Sequence, residues 1–203
     1  MNRTINLNLL ASPYHMSDEQ IQAEHELIKK AQYNEAAFAI LYDRYFDGVF
    51  GFIFRRTDNE EAAGDISSQV FLKVLQNLKK YQFMGLPFSA WLYRIASNEV
   101  NKFYRKEKRK VIFSLEEERI HDLIDDDDEE NKQHHIKVLV ECLNEMSTEV
   151  VEVLELRFFE DKGFKEIAFI LEISESGAKM RTYRALEKLK KNFNIKIKDH
   201  GEA

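Results

Sequence analysis

Two prolines and seven glycines are all the strong helix breakers these 203 residues contain. Long uninterrupted intervals of this kind favour helices. A single cysteine, Cys142, excludes an intramolecular disulfide and fits a reducing compartment. No apolar run approaches the roughly 18 residues that suggest a membrane span. The opening residues 1–20 carry Arg3 and a short apolar patch at 7–11, but Asn6 and Asn8 interrupt any signal-peptide core. These absences point to a soluble cytoplasmic protein, with Met16 as a second candidate start. Hydrophobic residues at 44% and aromatics at 12% suffice for packed cores, so the chain is not of the disordered class. The formal net charge of −6 argues at first against a nucleic-acid partner. The signs are segregated along the chain, however, so the average does not decide.

Three blocks follow an N-terminal tail of residues 1–18. Residues 19–112 are apolar-periodic and end in a basic run. Residues 113–135 form an acidic stretch with Glu116-Glu117-Glu118 and Asp125-Asp126-Asp127-Asp128-Glu129-Glu130. Like charges repel and bury little, so this stretch reads as a flexible linker. Residues 136–197 regain helical periodicity and end in a second basic run, with 198–203 as a tail. The expected fold is all-α, two small helical domains joined by the acidic linker.

Within the first block, Phe38, Leu41, Tyr42, Tyr45, Val49, Phe52 and Ile53 recur at intervals that share one helical face. Asp58 or Asn59 is placed to cap the next helix, which carries the stripe Ile66, Val70, Val74 and Leu78, with Phe71 and Leu75 beside it. Residues 81–87, containing Gly85 and Pro87, read as a loop, and 88–110 as another helix. In the third block, Ser147 is placed to cap a helix through Val150, Val151, Leu154 and Leu156. A break at 161–163 leads to short helices over 164–171 and 175–193 joined by a tight turn. The second is strongly basic, which is the helix-turn-helix pattern.

That last helix puts Arg181, Arg184, Lys188 and Lys191 on one face, and Thr182, Leu186, Leu189 and Phe193 on another. Ser174 caps it. Glu175, Ser176, Lys179 and Arg181 are placed to reach base edges, and Arg184 and Lys188 to meet phosphates. A solvated basic face is the bland alternative. A second basic face, on 88–110, comprises Arg94, Asn98, Lys102, Arg105 and Arg109, with Asn101 adding a further amide. Beside it the loop carries Tyr81, Phe83 and Met84, and aromatics next to cations suit single-stranded DNA. For Phe88, Trp91 and Tyr93 the better reading is core.

The string Phe88-Ser89-Ala90-Trp91-Leu92-Tyr93-Arg94-Ile95-Ala96-Ser97-Asn98 resembles the hallmark of domain 2 in extracytoplasmic-function sigma factors. Residues 36–44 resemble that family's first core helix, and 63–73 the helix that docks on the β′ clamp of RNA polymerase. In the third block, Glu166-Ile167-Ala168 and residues 174–185 resemble the domain 4 helix-turn-helix. The resemblance covers about residues 20–195 apart from the linker. It implies a transcription initiation factor whose partners are core RNA polymerase (β′ clamp and β flap), promoter DNA and an anti-sigma factor, with no small-molecule substrate. Domain 2 would melt and read the minus-ten element with Tyr81, Phe83, Arg94, Asn98, Asn101, Lys102 and Arg105. Domain 4 would read the minus-thirty-five element with Ser174, Glu175, Ser176, Lys179, Arg181, Arg184 and Lys188. Polymerase contacts would fall to Asp65, Ser68, Gln69, Phe71 and Lys73. The linker would thread the polymerase channel, its acidity imitating phosphates.

Two departures stand out. Ala63-Gly64-Asp65-Ile66-Ser67-Ser68-Gln69-Val70-Phe71 lacks two carboxylates of the family's Ala-Glu-Asp-Leu-x-Gln-Glu-x-Phe. The recognition helix reads Ser176-Gly177-Ala178 where the family has Gly-Thr-Val, and its glycine is read as lowering helix stability and admitting close approach to DNA. His134, His135 and Cys142 lack zinc-site spacing, and no nucleotide-binding or hydrolase motif appears. No cofactor, metal or catalytic residue is therefore expected. The rivals are a helix-turn-helix regulator that binds duplex without polymerase, a protein-interaction module, and, weakest, an enzyme.

Overall fold

The computed structural model describes residues 16–107 and 129–201, which form eight helices and no strand. Residues 1–15, 108–128 and 202–203, with most of the acidic stretch and its channel-threading role, lie outside the described residues. An N-terminal bundle holds α1 (Asp18–Ala31), α2 (Glu35–Thr57), α3 (Glu60–Leu78) and α4 (Phe88–Glu107). A C-terminal bundle holds α5 (Glu129–Asn144), α6 (Thr148–Phe158), α7 (Phe164–Leu171) and α8 (Glu175–Gly201).

Local chemistry sets most helix starts. Ser17 and Gln20 form a reciprocal capping box at α1, each side chain accepting from the other's backbone N–H. The apolar pattern alone gives no helix there; the Ser-x-x-Gln spacing is the signal. Asn34 accepts from the amides of Ala36 and Ala37 at α2. At the next junction Asn59 caps α3 through the Ala62 amide, while Asp58 closes α2 in the left-handed conformation. Ser147 stands at the start of α6 without a side-chain cap bond. Helix α4 is capped from outside its own sequence: the Phe88 amide donates to Glu24 of α1 at 2.8 Å.

The expected stripes point inward apart from Tyr42 and Leu75, which are exposed. Leu41, Val49, Phe52 and Ile53 of α2 and Ile66, Val70, Val74 and Leu78 of α3 are buried with Leu92, Ala96 and Val100 of α4. Leu139, Leu143, Leu156, Ile167, Leu189 and Phe193 are buried in the C-terminal bundle. Two boundaries differ from expectation. Helix α5 begins at Glu129, inside the stretch read as linker, because His135 and Ile136 are buried, His135 against Phe193. Helix α8 continues to Gly201, where Lys196 bonds Glu145 of α5 at 2.7 Å.

The two bundles meet, with α4 packed on α7. Arg55 and Arg56, at the end of α2, are buried against Glu152 and Glu155 of α6 and Glu160 just beyond it. Glu155 bridges both arginines, accepting from Arg55 Nε at 3.1 Å and Arg56 Nε at 2.7 Å. Arg56 also donates to Glu152 at 3.0 Å and lies over the Phe52 ring. From α4, Ser97 donates to Glu152 and Tyr93 to Glu160. Burial and the neighbouring Glu160 carboxylate push the Tyr93 hydroxyl's pKa well up, so it remains a donor. Lys162 reaches Ser89 and covers the Tyr93 ring.

Glu24 is another buried carboxylate on which local order depends, accepting from Phe88 N–H and from the Tyr45 hydroxyl. A buried donor left without an acceptor costs about 1–3 kcal/mol. Glu24→Ala is therefore expected to lower unfolding free energy by about 2–4 kcal/mol in urea titration. Glu26→Ala, which removes only an exposed pair with Lys29, is expected to leave the midpoint near the parent's.

Candidate nucleic-acid interface

Helix α4 shows two faces. Tyr93, Ala96, Ser97 and Val100 are buried, whereas Asn98, Lys102 and Arg105 are exposed in one line with Arg94 at its start. Asn101 is half-buried, its amide 3.5 Å from Ser97 Oγ, so it sits at the edge of that line. At the Arg94 end opens a cleft of about 550 Å³, lined by Lys73, Asn77, Tyr81, Trp91, Asn98 and Phe169.

The loop at residues 81–87 forms one wall. Tyr81 packs against Phe88 and Trp91, and its hydroxyl pKa is pushed up to about 12 by burial, so it stays neutral. Phe88 and Tyr93 are core, as expected; Trp91 is half-buried and faces the cleft. Phe83 turns to α1 and stacks on His25 at 4.4 Å. Met84 stands 68% exposed at the rim. Helix α1 holds this loop a second time through Gln32, whose amide donates to the carbonyls of Leu78 and Tyr81 at 3.0 and 3.2 Å. The placement of the cleft wall thus depends on a helix upstream of residues 36–44, the first segment that carries a family motif.

On α8, Glu175, Ser176, Lys179, Arg181, Arg184 and Lys188 are all exposed, with Met180 and Tyr183 among them. Ala178, Thr182, Ala185 and Leu189 anchor the opposite face. Arg181, Arg184 and Lys188 border a groove of about 350 Å³ floored by Val150, Val153 and Ala185. Ser174 accepts from the Gly177 amide at 3.0 Å, so its role is to cap the helix. A Cβ on Gly177 would come 3.0 Å from that Ser174 Oγ. The glycine therefore has a local reason, room for the cap.

On α3, Asp65, Ser68 and Gln69 are exposed along one stripe. Phe71 is not on it: at 5% exposure it packs inward against Tyr42 and Phe46. Lys73 turns to the other side and pairs with Glu99 of α4. The stripe continues instead through Leu72 and Leu75, 55% and 47% exposed. Both leucines fit a core pattern by type; only their offset from the Val70–Val74 rows marks them as outward.

Two family models match the chain, Sigma-70 region 2 over residues 41–110 and Sigma-70 region 4 over residues 136–189. The ECF RNA polymerase sigma factor BldN of Streptomyces coelicolor is 27% identical over 81% of this chain and 63% of its own length. The ECF RNA polymerase sigma factor SigM of Bacillus subtilis is 26% identical over 78% of this chain and 96% of its own. A solved structure, sigma factor RpoE with the anti-sigma factor NepR from Bartonella quintana, superposes with a TM-score of 0.58 at 19% identity. It covers 78% of this chain and 97% of that one.

The cap and the glycine make a closed test. Ser174→Ala is expected to cost about 1 kcal/mol. Gly177→Ala gains up to about 1 kcal/mol of helix propensity but crowds the cap, so alone it should shift stability little. In the Ser174→Ala background the same change should stabilise by nearly its full propensity. Equal effects of Gly177→Ala in both backgrounds, read by thermal unfolding, would contradict this local role.

Proposed function

The chain belongs to the sigma-70 family, among its extracytoplasmic-function sigma factors, and from that premise we propose how its surfaces divide the work of directing RNA polymerase to promoters. Such a factor performs no catalysis itself. The line Arg94–Asn98–Lys102–Arg105 beside the aromatic cleft, exposed from Asn98 onward, takes the non-template strand of the minus-ten element. The cleft accommodates a base extracted from the stack, an event that costs a few kcal/mol and must be offset by contacts there. Tyr81 and Trp91 supply aromatic surface, Asn98 supplies both a donor and an acceptor for a base edge, and Lys102 and Arg105 neutralise phosphates. Phe83 and Asn101, turned partly inward, position this surface.

The exposed first turns of α8 read duplex DNA of the minus-thirty-five element. Glu175, Ser176, Lys179 and Arg181 lie nearest base edges, and Arg184 and Lys188 meet the backbone. Ser174 orders the first turn. Asp65, Ser68 and Gln69, continued by Leu72 and Leu75, dock on the β′ clamp; the two leucines supply apolar area that the family pattern's missing carboxylates do not. The C-terminal bundle meets the β flap, and an anti-sigma factor restrains the chain, as NepR pairs with RpoE in the solved neighbour. Among the described residues no helix is long and apolar enough to cross a membrane, and the site of action is the cytoplasm, where polymerase works.

The observation that carries this reading is a strand-sized cleft and cationic line on α4 in the same chain as a capped recognition helix. Run-off transcription with purified core polymerase over a pool of bacterial promoter DNA tests it. The parent chain should give specific initiation. Asn98→Ala should reduce initiation roughly tenfold to hundredfold, corresponding to about 1–3 kcal/mol for a lost base contact. Duplex binding with no stimulation of polymerase would instead fit a conventional helix-turn-helix regulator.

A further inference from the structure

Lys73 stands on the α4 side of α3, away from the stripe of Asp65, Ser68 and Gln69, and its ammonium donates to Glu99 of α4 at 2.5 Å. Both residues line the cleft with Tyr81, Trp91 and Asn98. Glu99 is only 7% exposed, a carboxylate on the packed side of α4. Its Oε1 accepts from Lys73, while Oε2 has no hydrogen-bond partner among the described residues. The ammonium keeps N–H donors to spare after that bond. Asn77 on the same wall donates its amide to the Lys73 carbonyl at 2.8 Å, so it is committed to its own helix. A buried acceptor thus stands beside spare donors in a cleft walled by aromatic rings.

We propose that Glu99 and Lys73 read the edge of the extruded base, admitting a base that carries an exocyclic amino group and rejecting thymine. The proposal rests on the reading that the cleft takes a base of the non-template strand. Cytosine offers its N4 amino group to Oε2 and its N3 and O2 acceptors to Lys73. Adenine offers N6 and N1 in the same order. Guanine turns N1–H and its N2 amino group to the carboxylate and O6 to the ammonium. Thymine alone among the DNA bases has no amino group, and its single donor, N3–H, lies between two carbonyl oxygens. When N3–H meets Glu99, one of those oxygens faces the carboxylate as well, acceptor against acceptor. A site built around a hydrogen bond rejects an analogue that lacks it, because a buried group is left unpaired.

The pairing also explains how a carboxylate is tolerated in a site for DNA. As a unit the two side chains are neutral, so the phosphates that Lys102 and Arg105 attract meet no net negative charge on the cleft floor. Reading is therefore added without loss of the electrostatic attraction that brings the strand in.

The test uses holoenzyme assembled from the full chain and core polymerase. Run-off transcription over a barcoded promoter library, randomised across the minus-ten element, locates the position at which thymine is disfavoured. Templates with a preformed bubble then carry cytosine or uracil at that position of the non-template strand. The two bases match in size and differ only along the edge offered to the pair, and the bubble removes any difference in melting. The parent chain should initiate about tenfold better with cytosine. Glu99→Gln, whose amide donates as well as accepts, should bring the two bases within about twofold of each other. Glu26→Gln, which breaks an exposed pair with Lys29 outside the cleft, should keep the parent's ratio. If Glu99→Gln loses helical circular dichroism, Lys73→Gln with Glu99→Gln removes the pair at constant net charge, and it should level the ratio in the same way. The absence of any position that disfavours thymine, equal initiation with cytosine and uracil in the parent, or an unchanged ratio in a folded variant overturns the proposal. Asn98→Ala then decides the wider reading. If it still lowers initiation, the cleft takes the strand without reading that edge; if it does not, the strand-binding reading falls as well.

Discussion

Three carboxylates and two guanidinium groups, withdrawn from water between two helical bundles, govern the arrangement of this molecule. Arg56 is 1% exposed and Glu155 not at all. Taking such charges out of water is costly, and their mutual attraction offsets that only when geometry is good and the remaining polar atoms are satisfied. Here the pairing is extensive, with Ser97 and Tyr93 adding hydrogen bonds, yet Arg56 Nη2 is left without a partner. When the bundles separate, every one of these groups regains water together. An apolar interface of the same size would hold more firmly. A charged one gives a defined register with modest net strength.

The same constraint explains helix α6. Residues 151–156 are buried on every side, including Glu152 and Glu155. Its apolar residues pack toward α8, and its carboxylates face α2 and α4. The helix is thus a septum, and the positions of α7 and the α4 cleft follow from it. On the far side Arg94 of α4 pairs with Glu172 and lies over the Phe169 ring.

Much of this was legible in the sequence, and the exceptions have physical reasons. Apolar periodicity located the stripes on α2, α3, α6 and α8, because burial of one helical face leaves that signature. Residues 88–98 announced the family, and the exposed line Asn98, Lys102 and Arg105 lies where spacing placed it. Helix α1 was hidden because its apolar content is slight, although its capping box was there to be read. Phe71 followed the family motif outward on paper, but its ring completes the packing of Tyr42 and Phe46. Arg55, Arg56, Glu152 and Glu155 were not singled out from the sequence. Nothing local marks a charge whose partner lies 100 residues away, and only the tertiary structure pairs them.

The chain as a whole is two helical bundles joined through this buried charge cluster, with Asn98, Lys102 and Arg105 on one bundle and Arg181, Arg184 and Lys188 on the other left exposed. The most direct measurement is the distance between spin labels at Tyr33 and Ile195, both exposed and on opposite bundles. The free chain should give one narrow distance. Addition of core polymerase and promoter DNA should replace it with a distinctly longer one. A distance unchanged by polymerase and promoter, or already broad in the free chain, would contradict the account.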